Sequence, residues 1–528
     1  MSPLILFSFV IGYFIILLTV AYYTSRNSNN DSFFIGNKSS NWMLVAFGMI
    51  GTSLSGVTFI SVPGSVGTSN FFYFQIVLGY IIGYMVIAFV LLPLYYRMNL
   101  TSIYTYLEKR FGINAHKAGA FFFILSRTVG ATARLYLVIN VLQLFILDSL
   151  GIPFIATTVV ILIMILLYTF EGGVKTIIYT DMLQTTGMLV GLVACIIVII
   201  NALGTDVSGA FTMMNEKGYT QVFNWDVKAG SFILKHIIGG MFIAIAMTGL
   251  DQEMMQKNIS VRNLKDSQKN MMTFTGIMTV VNFLFLVLGG VLYLYANAKG
   301  ITTAPDDLFP TIALSNALTG VIGVIFIIAL ISALFPSVDG AITSLTSCFC
   351  IDILGMKKSE IPKSISIDSI NDDALEKQKR RTRLTVHFTF AVIFFIMVLI
   401  FKGINDKLII DFILKFAGIT YGPLLGLFGF GILTSRVLDQ KYIWAVCIIA
   451  PLLALGLDML SSPEWYEKKL HVSLGLENIS KSIFNGYKIG NELILINGIL
   501  TFIGLYLISK PAVISPEAKP VLHDGIDQ

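Results

Sequence analysis

Apolar segments long enough to cross a bilayer recur along almost the whole chain. A crossing takes roughly 20 apolar residues. The pattern predicts thirteen spans, near 4–23, 42–66, 71–97, 118–146, 153–170, 177–202, 232–254, 270–296, 318–352, 384–401, 408–434, 442–460 and 491–509. The longest polar segments are 203–230, 354–383 and 461–488, and none has the make-up of a folded domain. An all-α polytopic membrane protein follows, with short interfacial helices expected near 99–110 and 307–316. The first segment follows Met1-Ser2-Pro3, which has no basic charge, and no small-residue cleavage site succeeds it. It is therefore expected to remain as a span rather than be removed as a signal peptide.

A repeat is visible in the order of the spans. Spans two to six and spans seven to eleven are two sets of five, so the second set runs inverted. Each set opens on an interrupted segment: span two holds Gly51-Thr-Ser-Leu-Ser-Gly56, and span seven holds Gly239-Gly240 and Gly249. Inverted repeats led by broken helices are a transporter design with a midplane site, although small residues also allow close helix packing. The chain then divides into 1–41 (first span and loop), 42–202 (first repeat), 203–230 (external loop), 231–434 (second repeat, with the loop 354–383), 435–510 (two further spans) and 511–528 (tail).

Composition agrees. Of 528 residues 55% are hydrophobic and 13% charged, with mean hydropathy +0.79. Soluble domains carry about 25% charged residues. The net charge of +5 is no nucleic-acid signal. With the N-terminus outside and the C-terminus inside, most Lys and Arg, including the run Lys377–Arg383, fall in cytoplasmic segments, as the positive-inside rule requires. The tail beyond Lys510, with Pro511, Pro516 and Pro520, is expected to be disordered. Cys195, Cys348, Cys350 and Cys447 lie in apolar spans and are expected to pack rather than form a disulfide or zinc site.

An ion in transit needs oxygen ligands, and backbone carbonyls are free in lipid only where helical bonding fails. Gly51–Gly56 is one such place. Pro336 in span nine is another, because it cannot donate to the Ser332 carbonyl; a structural kink is the alternative. Asp181 and Asp339 are costly in a membrane and are functional candidates. Asp181 can otherwise be solvated near the cytoplasmic end, and Asp339 can be a helix-packing partner. Arg127 and Arg134 share a face of span four and pair either with Asp181 or Asp339 or with an anionic solute. Lys415 is placed to snorkel outward. Thr248, Asp251, Gln252 and Glu253, ending span seven, line a cavity or reach the interface. No P-loop glycines, H-E-x-x-H pair or G-x-S-x-G elbow is present.

Three stretches resemble the sodium/solute symporter family of sodium–sugar, sodium–proline and sialic acid transporters. They are Gly172-Gly173-Val-Lys175 through Thr180-Asp181 and Gln184, Tyr106-Leu-Glu-Lys-Arg-Phe-Gly112, and Gly418-Ile-Thr-Tyr-Gly-Pro423. The likeness covers roughly 4–460. It implies a leucine-transporter-like fold of two inverted five-helix repeats that works by alternating access. It implies a sodium site between spans two and nine with carbonyls from Gly51, Leu54 and Ala329 and the Ser332 hydroxyl. Ala333 stands where the family has Ser or Thr. Asp181 matches the acid of a second sodium site in some members, whose other positions, Phe335 and Pro336, lack hydroxyls here. On the solute side Met278 replaces the lysine of sugar-transporting members and Met247 their aromatic gate. Some sialic acid transporters place an Arg on span four, where Arg127 and Arg134 lie. The candidate solute contacts are thus Thr52 and Ser53 at the break in span two, Asp251 and Gln252 at the end of span seven, and Arg127 and Arg134, to which the resemblance also points.

The expected function is symport: inward sodium flow drives uptake of a small organic solute, an anionic sugar or other carboxylate being preferred. Sodium is the coupling ion and no organic cofactor is expected. The partners are the solute and the bilayer of the cell membrane, with no nucleic acid, and a monomer is expected to suffice. The rivals are proton coupling through Asp181 or Asp339, a sensor of transporter fold, and a polytopic enzyme, for which no clustered catalytic constellation is found.

Overall fold

A computed structural model describes residues 3–25, 40–169, 173–314, 320–356, 369–404, 409–470, 473 and 475–511. Every predicted span is helical. Eight are single long apolar helices. Spans one, three, four, six, eight, nine, ten and twelve begin at Pro3, Tyr73, Ile113, Gly173, Leu264, Gly320, Ser369 and Ile443. Spans five (Phe154–Thr169) and thirteen (Leu493–Leu507) are shorter. Three spans are bent pairs: Trp42–Ser53 with Gly56–Ser69 (span two, 56°), Ile233–Gly249 with Gln252–Ile259 (span seven, 64°) and Ile409–Thr420 with Gly422–Leu433 (span eleven, 44°). Spans four and nine form the centre, their apolar windows 72% and 78% buried, while span one is only 22% buried and lies at the edge. Short helices Thr105–Phe111 and Pro305–Leu314 occupy the predicted interfacial stretches. The predicted linker 359–376 lies outside the described residues as far as 368, as do Gly172 and the tail from residue 512.

Each break has a local cause. In span two, Leu54 and Ser55 are extended, which ends one helix and starts the next. In span seven the Asp251 side chain caps the second half, accepting from the Glu253 and Met254 amides at 2.9 and 3.2 Å. In span eleven Pro423 falls in the first turn after the bend, where a missing N–H costs least. Asn497 of span thirteen donates to the Gly418 and Ile419 carbonyls at 3.1 and 2.6 Å, replacing partners lost at the bend.

One expectation changes. Gly239 and Gly240 do not break span seven; the interruption lies at Gly249–Asp251. The glycines let helices touch: a Cβ on Gly240 would overlap the Ile76 carbonyl, and one on Gly79 the Ile237 carbonyl. Spans three and seven are thus in backbone contact. Pro336 lies inside a helix that is continuous from Gly320 to Cys348, and its missing N–H leaves the Ser332 carbonyl without that donor, as expected.

The short helix Pro305–Leu314 locks onto the second half of span two, where the Pro305 carbonyl leaves no room for a Cβ on Gly64. Its Asp306 accepts from the Ile409 amide at 3.2 Å and has the Ser61 hydroxyl beside it. Burial pushes the Asp306 carboxyl up to about 7, with Asp307 and Asp411 adding to the rise against the Ser61 hydroxyl and the Ile409 amide.

Two outcomes follow. Gly240→Ala should cost about 1–3 kcal/mol through overpacking, seen as a lower thermal unfolding midpoint. A carboxyl raised in the folded state contributes stability at low pH that is lost as pH rises through about 7. Relative to Asp306→Asn, the wild type should therefore lose up to about 1.4 kcal/mol per pH unit below that point. Midpoints measured from pH 5 to 8 test this; parallel curves for the two proteins would exclude it.

Candidate functional site

The break in span two faces a cavity of about 100 Å³. Thr52, Ser53 and Leu54 line it, with Arg127 and Arg134 of span four opposite. Tyr73, Tyr80 and Tyr84 of span three extend the wall toward the end of the bundle that carries 203–232. Met247 and Met278 are also in the lining. Asp251 and Gln252 are not. The Asp251 carboxylate caps its helix and accepts from the Tyr421 hydroxyl at 3.0 Å. Gln252 accepts from the Ile103 amide at 3.0 Å and donates to the Thr101 carbonyl at 3.2 Å. Both are spent on holding the break of span seven.

The two arginines differ. Arg127 is buried and its Nη2 is hydrogen-bonded to Glu253 Oε2, with Asp251 3.9 Å from Nη1. It thus pairs with acids of span seven, not with Asp181 or Asp339, because the sharp turn at Gly249–Asp251 carries Glu253 to span four. Arg134, seven residues on, is half-buried and makes no ion pair among the described residues.

Span nine is held against both sides of the break. A Cβ on Gly51 would lie 3.4 Å from Pro336 Cγ, and one on Gly56 would lie 4.0 Å from Leu330. The last carbonyls of a helix have no intrahelical donor, so Gly51 to Leu54 present free carbonyls here. Ser332 donates to the Tyr13 hydroxyl at 2.8 Å, which leaves its lone pairs for a cation. Ala329 packs on Gly191, and Ala333 is buried with a methyl group only. Thr185 supplies a hydroxyl that sequence reasoning missed: it fills the space a Cβ on Gly51 would need, and it donates to the Phe47 carbonyl at 3.0 Å. Its spacing from Asp181, four residues on one helix face, was the available signal.

Asp181 is fully buried, not solvated near an end. Lys257 Nζ donates to Asp181 Oδ2 at 2.7 Å and also to Thr52 Oγ1, and lies 3.8 Å from Glu253 Oε1. Asp339 accepts from the Tyr168 hydroxyl at 2.8 Å. Lys415 does not snorkel outward; it pairs with buried Asp458 at 2.7 Å and lies over Trp465 and Tyr466. All four cysteines are buried. Among the described residues no His, Cys, Asp and Glu converge in a group of three or more that would hold a metal ion.

Removing one partner of a buried pair strands a charge. Arg127→Met should cost about 3–5 kcal/mol, and Arg127→Met/Glu253→Met should regain most of it. Unfolding midpoints of the purified proteins close this cycle; additive losses would mean that the two side chains are uncoupled.

A family model, the sodium:solute symporter family, matches residues 33–448. Two curated relatives are similar over most of their length. The sodium/sialic acid symporter NanT of Aliivibrio fischeri is 24% identical over 435 residues, covering 80% of this chain and 81% of that protein. The sodium/sialic acid symporter SiaT of Proteus mirabilis is 24% identical over 444 residues, covering 81% and 85%. A solved structure of a substrate-bound, outward-open sodium-coupled sialic acid symporter superposes with a TM-score of 0.77 at 20% identity, over 96% of this chain and 99% of that one. That likeness shows the leucine-transporter-like fold implied by the family resemblance. With the multiple apolar spans in place, the chain belongs to the sodium:solute symporter family and is a multi-pass cell-membrane protein that couples sodium to the transport of a small organic solute.

Proposed function

We propose that the solute is a small organic anion of the sialic acid type and that Arg134 receives its carboxylate. The observation that carries this is the split between the arginines: Arg127 is neutralised by Glu253, while Arg134 lines the cavity without a counter-ion among the described residues. A guanidinium so placed attracts a carboxylate and can meet it with two parallel hydrogen bonds. Ser53 lines the same cavity and can orient the rest of the solute, whereas the Thr52 hydroxyl is taken by Lys257 and the Gly48 carbonyl.

The cavity is smaller than the several hundred Å³ usual for a ligand site. Met247 and Met278 line it, and their flexible thioethers let it widen. Met278 also leaves this wall without a second cation, which disfavours a neutral hexose held by a lysine. Sodium binds between spans two and nine, on the Gly51, Leu54 and Ala329 carbonyls and the Ser332 hydroxyl, with Thr185 beside Gly51 as the oxygen that offsets Ala333.

The N-terminus lies outside and the C-terminus inside, supported by the distribution of Lys and Arg. The Arg127–Glu253–Lys257–Asp181 network then floors the cavity on the cytoplasmic side and must part for inward release. A monomer contains every residue invoked.

Uptake of labelled sialic acid into proteoliposomes, driven by an imposed sodium gradient, tests the reading. Arg134→Ala should raise the half-saturating solute concentration roughly 10- to 100-fold, the worth of one charge-assisted hydrogen bond, and Arg134→Lys should lie between. Unaltered sialic acid affinity in Arg134→Ala, or uptake of a neutral hexose in its place, would sink the assignment.

A further inference from the structure

The acid that resemblance assigns to a second sodium is already occupied. Lys257 is 2% exposed, and its ammonium is hydrogen-bonded to Asp181 Oδ2 at 2.7 Å and to Thr52 Oγ1. Those are the oxygens a small monovalent cation would use here. The surroundings hold more negative charge than this one ammonium answers. Asp181, Asp251, Glu253 and Asp339 are each at most 2% exposed, and Arg127 and Lys257 are the cations paired with them. Asp181 Oδ1 and Glu253 Oε1 are buried with no hydrogen-bond donor. Around the one ammonium of Lys257, the Asp181 and Glu253 carboxylates therefore each keep an unspent oxygen.

We infer that Lys257 is a resident cation: its ammonium takes the place of a mobile sodium between Asp181 and Thr52. The transporter then moves only the sodium held between spans two and nine. This rests on the reading of that site given above. The substitution is physically reasonable because an isolated buried carboxylate is far too costly to leave unanswered, and an ammonium on span seven meets the need without an ion from solution. It also ties the pocket to the cavity, because Thr52 adjoins both Gly51 and Ser53.

Removal of the ammonium should convert the pocket into a sodium site. In the full-length purified protein, Lys257→Met should bind a second sodium. The rise of the unfolding midpoint per tenfold increase in sodium should become about twice the wild-type rise, with potassium and choline ineffective. Lys257→Met/Asp181→Asn should return to the wild-type response. Solute uptake, first-order in sodium in the wild type, should become second-order in Lys257→Met.

A folded Lys257→Met with the wild-type sodium response would overturn the inference and leave Lys257 as a structural ion pair. Asp181→Asn in the wild-type background decides the matter if Lys257→Met does not fold. An unchanged sodium order of uptake supports a resident cation, and a lowered order shows that Asp181 itself binds transported sodium and overturns it. Loss of the wild-type sodium response by Ser332→Ala tests the site between spans two and nine separately. An Asp181 pocket that gains sodium while Ser332→Ala changes nothing would reject that site and keep this one.

Discussion

Backbone carbonyls cannot be left bare in lipid, and the break at Leu54–Ser55 leaves several of them bare. The rest of the molecule keeps that break inside protein. Span nine closes on it through Pro336 at Gly51 and Leu330 at Gly56, and span six brings the Thr185 hydroxyl to Gly51. Span nine is the most buried of the long spans, and spans one and twelve, outside the two repeats, are the least buried of them. A broken helix is thus tolerable only at the centre of a bundle, and there it provides unpaired oxygens where a cation can shed its water. The site and the fold satisfy one constraint together.

Charge obeys the same logic one turn away. Four buried carboxylates drawn from spans six, seven and nine stand near the floor of the cavity, and Arg127 and Lys257 answer part of that charge. The second half of span seven carries Glu253 and Lys257 four residues apart, so both project from one face. Glu253 reaches span four and Lys257 reaches span six and Thr52. One short helix therefore crosses between the two repeats with ion pairs on both sides. Parting this floor requires breaking buried pairs, which is costly unless an incoming charge compensates.

Much of this is legible in the chain. The thirteen spans follow from hydropathy, and the paired interruptions place the cavity at Ser53. What fails does so for identifiable reasons. Gly239 and Gly240 carry the same composition signal as a break, yet they serve contact with Ile76; only a partner helix distinguishes the two uses. Lys257 escapes notice because the apolar stretch of span seven ends near residue 254, so a lysine three residues on looks like loop. Its spacing from Glu253 is the clue that it continues a helix. Asp181 looks solvated for the same reason, since hydropathy reports the depth of a segment and not what folds over its end. Arg127 and Arg134 are equivalent by spacing, and only the bend at Asp251, which brings Glu253 to one of them, separates their roles.

Coupling follows from adjacency more than from any long-range device. Gly51, Thr52 and Ser53 are consecutive, and each meets a different neighbour. Gly51 meets span nine, Thr52 meets Lys257 and Asp181, and Ser53 meets the cavity. A solute on Ser53, as proposed, acts next to Leu54 and Ser55, the extended joint that follows all three residues. With ion and solute sited as proposed, both bias the same joint, and by linkage whatever coupling results is equal in both directions. In that proposed arrangement the coupling of symport runs through three neighbouring residues at the end of one broken helix.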